Sequence, residues 1–144
     1  MIKFLSRLKK DQKGQALVEF ALILPILILL VMGIIEFGII YHTQLVLDNA
    51  SREGARAGVL QQRGEEDSAS SDDKIKEVIF DRAATLDRDK LEQGINISPD
   101  FGDRRVGVPL KVELTYEVNP FTPVISNIIG DSIELNSSTT MRVE

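Results

Sequence analysis

Hydrophobic residues are spread very unevenly along the 144-residue chain. From Ala16 to Tyr41 they form a nearly unbroken run, and Glu19 is the only charged residue between Lys13 and Glu36. Ala16–Ile35 alone is twenty residues, roughly 30 Å of helix and about the thickness of a bilayer core. In lipid the backbone must be satisfied within the segment, so a helix is predicted rather than a strand. Pro25 lacks an N–H and predicts a mild kink. Gln44–Leu60 is read as a continuation of the same helix beyond the apolar run.

The rest of the chain changes period twice. Residues 61–73 are acidic and Ser-rich with no apolar period, and read as a loop. Ile75, Val78, Ile79, Ala83, Leu86 and Leu91 recur at helical spacing, predicting one helix over 74–91. Asp72 or Asp73 is placed to cap it and Gly94 to end it. Residues 98–109, with Pro99, Gly102, Gly107 and Pro109, read as turns. From Val108 to Val118 apolar and polar residues alternate, as they do from Ile133 to Val143, and each run predicts a strand with one buried face. Between them, 119–130 reads as a turn and a short helix. The expected fold class is α+β: a long N-terminal transmembrane helix bearing a small head, in which an amphipathic helix covers an antiparallel pair. The expected divisions are a leader (1–14), a transmembrane helix (15–41), its extension (42–60), an acidic loop (61–73) and an extracytoplasmic α+β head (74–144).

Charge sharpens the reading of the N-terminus. Lys3, Arg7, Lys9, Lys10 and Lys13 face only Asp11 in the first fourteen residues. Losing that stretch removes five positive charges and one negative from a net charge of −5, leaving −9. Such an acidic remainder argues against nucleic acid as a partner. Basic residues ahead of an apolar span stay cytoplasmic, which places the C-terminal head outside the cytoplasmic membrane. The chain has no Cys, so neither a disulfide framework nor a thiolate metal site is available.

Glu19 is the costly feature. A carboxylate inside an apolar segment costs on the order of 3 kcal/mol on insertion scales. A plain membrane anchor treats it as tolerated near the cytoplasmic interface. A cleaved secretory signal would have a shorter apolar core and a small-residue site after it. A third reading gives the carboxylate a partner. If the chain is cut after Gly14, Gln15 becomes a charged amino terminus, and Glu19 stands about 6 Å further up the helix. Amine and carboxylate then neutralise each other, within one subunit or between neighbours, although desolvation offsets much of the attraction. Gly14, without a side chain, suits an extended stretch entering a protease site.

Gly-Gln-Ala-Leu-Val-Glu-Phe-Ala-Leu-Ile-Leu-Pro at 14–25 resembles the start of TadE-like proteins of the tight-adherence (Tad/Flp) pilus system. The resemblance continues in Gly-Ile-Ile-Glu-Phe-Gly at 33–38, in Ala-Ser-Arg-Glu-Gly-Ala-Arg-Ala-Gly at 50–58 and in the ending at 137–144; it does not extend to 61–105. It implies processing between Gly14 and Gln15 by a membrane-embedded prepilin peptidase. It also implies a pseudopilin or minor-pilin role in assembling a pilus for surface adherence, with other pilins and the Tad assembly machinery as partners. The major pilin of such systems is usually far shorter, so the size of this head favours a minor component.

Ala50, Gly54 and Gly58 repeat at four-residue spacing and would let another helix approach closely, either a neighbour's or one from the same head. Glu36 is read as an interfacial carboxylate reaching water, and Arg52, Glu53 and Arg56 as a solvated face. His42 is the only histidine and reads as an interfacial side chain rather than a metal ligand. No nucleophile–base pair or phosphate-binding loop is identifiable, so neither an enzyme nor a cofactor is expected. The alternative to a filament subunit is a single-span anchored protein with an extracytoplasmic binding or adhesion head.

Overall fold

A computed structural model of the protein describes the backbone of residues 2–61, 68–105 and 107–142. It contains a 60-residue helix α1 (Ile2–Gln61), α2 (Ser68–Arg82), α3 (Arg88–Gln93), β1 (Ile95–Ser98), β2 (Pro109–Val118), α4 (Pro123–Ile129) and β3 (Ile133–Arg142). The chain divides into two compact units, Met1–Phe37 and Gly38–Glu144, so α1 contributes to both.

The first unit is helix alone. Its apolar side chains stand exposed, Leu17, Phe20, Leu22 and Ile26 each by 60 % or more. A water-soluble fold does not present such a surface over this length, whereas a bilayer accepts it. By length and composition α1 is able to cross a membrane. The helix continues through Pro25, where the carbonyl of Ala21 loses its usual amide donor.

The second unit is α+β. Its sheet has the order β1-β2-β3 and is antiparallel throughout. The register pairs Ile95 with Leu114 across β1 and β2, and Leu114 with Ser137 across β2 and β3. One face of the sheet is covered by the extended part of α1 together with α2 and α3. Leu47, Ala50 and Ala55 of α1, Ile75 and Ile79 of α2, Leu91 of α3, and Val112 and Leu114 of β2 form one buried cluster. Helical and two-residue periods thus converge on a single apolar layer.

Four local expectations are corrected. The single helix over 74–91 is two helices, because Asp87 takes extended backbone angles and its carboxylate accepts the amides of Asp89 and Lys90, opening a new helix. The acidic stretch 61–73 is not all loop: Ser68–Asp73 forms the first turns of α2, while 62–67 lies outside the described residues. Asp72 and Asp73 therefore sit inside α2 rather than capping it. Within the expected turn region, Ser98 ends a third strand, β1, which the sequence reading did not identify.

Candidate functional site

The charged junction at the start of the apolar run is helical in the uncut chain. Gly14 and Gln15 lie within α1, and the side-chain amide of Gln15 donates to Glu19 Oε1 at 3.1 Å. One helical turn thus brings the two side chains together on one face. Both Gln15 and Glu19 are exposed. A Cβ built on Gly14 would meet no described atom within 4 Å, so no packing contact calls for glycine there. A mid-helix glycine costs about 0.5–1 kcal/mol relative to alanine, and it eases local unwinding at this point.

The small-residue row is engaged within the head. Ala50 is fully buried. A Cβ on Gly54 would come within 2.7 Å of Ile79 Cγ1, and one on Gly58 within 2.9 Å of Ile75 Cδ1. The Gly58 position is also crowded by Leu110 of β2. Absent side chains at 54 and 58 are thus what let α2 and β2 settle against α1.

Polar contacts tie α1 to β3 along the same face. Ser51 is fully buried, and its hydroxyl lies 2.9 Å from those of both Ser137 and Thr139. Gln44 Nε2 donates to the carbonyl of Asn136 at 3.1 Å. Sequence reasoning singled out none of these as a cluster. Its signal was the placement of Ser137 and Thr139 at inward positions of β3, where an aliphatic residue would otherwise be expected.

A second tie joins α2 to the loop after β1. The Arg104 side chain is 1 % exposed, and it donates from Nη1 to Asp72 at 2.6 Å and from Nε to the carbonyl of Pro99 at 2.8 Å. Glu36 is 4 % exposed, so its carboxylate is buried rather than reaching water, contrary to the interfacial expectation. His42, Arg52 and Arg56 are exposed. Among the described residues no group of His, Asp and Glu is arranged to hold a metal ion.

The head carries an open groove of about 440 Å³, lined by Asp73, Lys76, Glu77, Phe80, Asp81, Arg88 and Glu92. Arg88 stacks over the Phe80 ring at 4.3 Å. Charges of both signs line it without a nucleophile–base arrangement, and it lies in the head rather than at the Gly14–Glu19 junction.

Against known proteins, residues 14–56 match the family described as TadE-like protein. The match takes in the junction, the apolar run and the first part of the small-residue row. Comparison with curated proteins and with solved structures found no match.

Proposed function

With residues 14–56 a TadE-like segment, we propose that the chain is a pseudopilin or minor pilin associated with a Tad/Flp pilus, cut after Gly14 by a prepilin peptidase. The observation that carries this reading is the junction itself. A glycine without a packing role is followed by Gln15 and, one turn on, by the only carboxylate in the first twenty residues of the apolar helix. Cutting the Gly14–Gln15 bond turns a backbone amide into an ammonium group beside Glu19. The carboxylate then gains a cationic partner where lipid would otherwise penalise it.

The processed chain is held by its apolar helix in the cytoplasmic membrane, N-terminus inside and head outside. During assembly it is drawn among other pilins, where Glu19 neutralises its own or a neighbour's terminal amine. Head-to-tail contacts of this kind extend without closing, as a filament requires. The role is structural, and the open groove of mixed charge gives no support to an enzymatic one.

The deciding experiment determines the N-terminal residue of the protein recovered from its native membrane, by intact mass and terminal sequencing. A start at Gln15 supports the reading; an intact Met1 or a start beyond Tyr41 refutes it. An anchored binding protein outside any filament is the second reading. Failure of the processed chain to co-purify with other pilins would select it.

A further inference from the structure

The connection between β2 and β3 has a composition unlike its surroundings. Residues 118–130 contain no charged side chain, in a chain that is 27 % charged, and Glu117 and Asp131 bound the stretch. Phe121, shortly after β2, is 70 % exposed, more than any other large apolar side chain of the head among the described residues. The polar groups of this stretch are largely satisfied within it. Ser126 Oγ and Asn127 Nδ2 both donate to the Pro123 carbonyl, at 3.0 and 2.9 Å. The amides of Ile125 and Ser126 donate to the Thr122 carbonyl, and that of Gly130 to Ser126. Internally paired polar groups lower the cost of leaving water.

Contacts within the head place this connection along the axis of α1. Gln44 bonds Asn136, Ser51 meets Thr139, and Gly58 packs on Leu110, whose strand partner is Met141. Climbing α1 therefore means climbing β3 from its start towards its end. Ile133, which closes the β2–β3 pair opposite Val118, lies three residues below Asn136. At about 3.3 Å per strand residue and 1.5 Å per helix residue, that descent corresponds to roughly six helical residues. It reaches the level of Gly38–Tyr41, the last residues of the apolar run. Tyr41 is itself 57 % exposed, as expected of an aromatic side chain at a membrane–water boundary.

We propose that the uncharged Asn119–Gly130 connection, with its exposed Phe121, is a second, shallow membrane contact that rests in the outer interface at the level of Gly38–Tyr41. The partner is a lipid surface: a charge-free, internally satisfied segment at the depth where the apolar run ends meets headgroups and upper acyl chains. Together with α1 it would hold the head at two points. The inference rests on α1 being the anchor, and the test separates the two.

The chain has no Trp, so single tryptophans report one site each. Full-length Leu27→Trp, Phe121→Trp and Leu60→Trp variants are reconstituted in vesicles of lipid brominated either near the headgroup or near the chain end. The Phe121→Trp emission is expected to be blue-shifted and quenched more strongly by the headgroup-proximal bromine. Leu27→Trp should be quenched deep in the bilayer, and Leu60→Trp not at all. Water-like, unquenched emission at 121 with normal quenching at 27 overturns the proposal alone. Blue-shifted but unquenched emission at 121 overturns it in favour of a protein contact. Absence of quenching at 27 overturns the anchor itself. The unmodified chain supplies an independent readout: a photoactivatable lipid should label the peptide containing 119–130, and labelling confined to α1 overturns the proposal.

Discussion

Gly94 shows how one missing methyl group decides a local architecture. Its carbonyl accepts the amide of Thr115 at 2.9 Å, and a Cβ at this position would strike the backbone of Thr115 rather than a side chain that could turn aside. Gly94→Ala is therefore expected to destabilise the head by about 1–3 kcal/mol, read as a lower urea midpoint of the full chain in detergent. Ser51 acts by hydrogen bonding instead of space. Removing its hydroxyl leaves Ser137 and Thr139 short of a shared partner, and Ser51→Ala should cost about 1–2 kcal/mol in the same measurement. The helix-ending role of Gly94 was legible in the sequence from its place after a run of helical period. Its close approach to β2 was not, because twenty-one residues separate it from Thr115 and nothing local encodes that contact.

At the scale of elements, the two long strands follow directly from alternation: Leu110, Val112 and Leu114 are the buried positions of β2, as a period of two demands. The helix over 74–91 illustrates the opposite case. Its apolar residues keep helical spacing across both α2 and α3, so periodicity alone cannot reveal the break between Arg82 and Arg88. The break depends on Asp87 capping a new helix, while the Asp87 amide itself donates to the Tyr116 hydroxyl oxygen at 3.2 Å. Asp87→Ala should destabilise α3 by about 1 kcal/mol, seen as faster amide exchange across Arg88–Gln93 while α2 is unchanged. On α1, bulk at the small-residue row should be felt in the head. Gly54→Val forces Ile79 out of its place and is expected to lower stability by about 1–3 kcal/mol. An unchanged urea midpoint would show that α1 and α2 separate without cost.

For the whole molecule, the two units give separable phenotypes. Changes at the junction should alter processing and assembly with no effect on the head, since Gly14 and Glu19 belong to the first unit and the core to the second. Gly14→Leu is expected to abolish leader cleavage, and Glu19→Ala to leave cleavage largely intact while reducing incorporation into pili. Immunoblotting for the processed form and assay of sheared surface fractions read the two effects; normal incorporation of Glu19→Ala would remove the carboxylate's assembly role. Conversely, Gly54→Val should be cut normally, because the junction lies forty residues away on an exposed helix.

The sequence by itself determined the apolar helix, the cost of Glu19 within it, and the strands at Pro109–Val118 and Ile133–Arg142. Each of these depends on a period or a charge readable within one segment. Tertiary structure decided what those segments meet. It turned the Ala50–Gly54–Gly58 row towards Ile75, Ile79 and Leu110, buried Ser51 against Ser137 and Thr139, and buried the carboxylate of Glu36. It also added β1 to the sheet by pairing Ile95 with Leu114. A small residue advertises that something approaches closely, and a buried hydroxyl that something bonds it, but the partner's identity lies in contacts across tens of residues, which no local period carries.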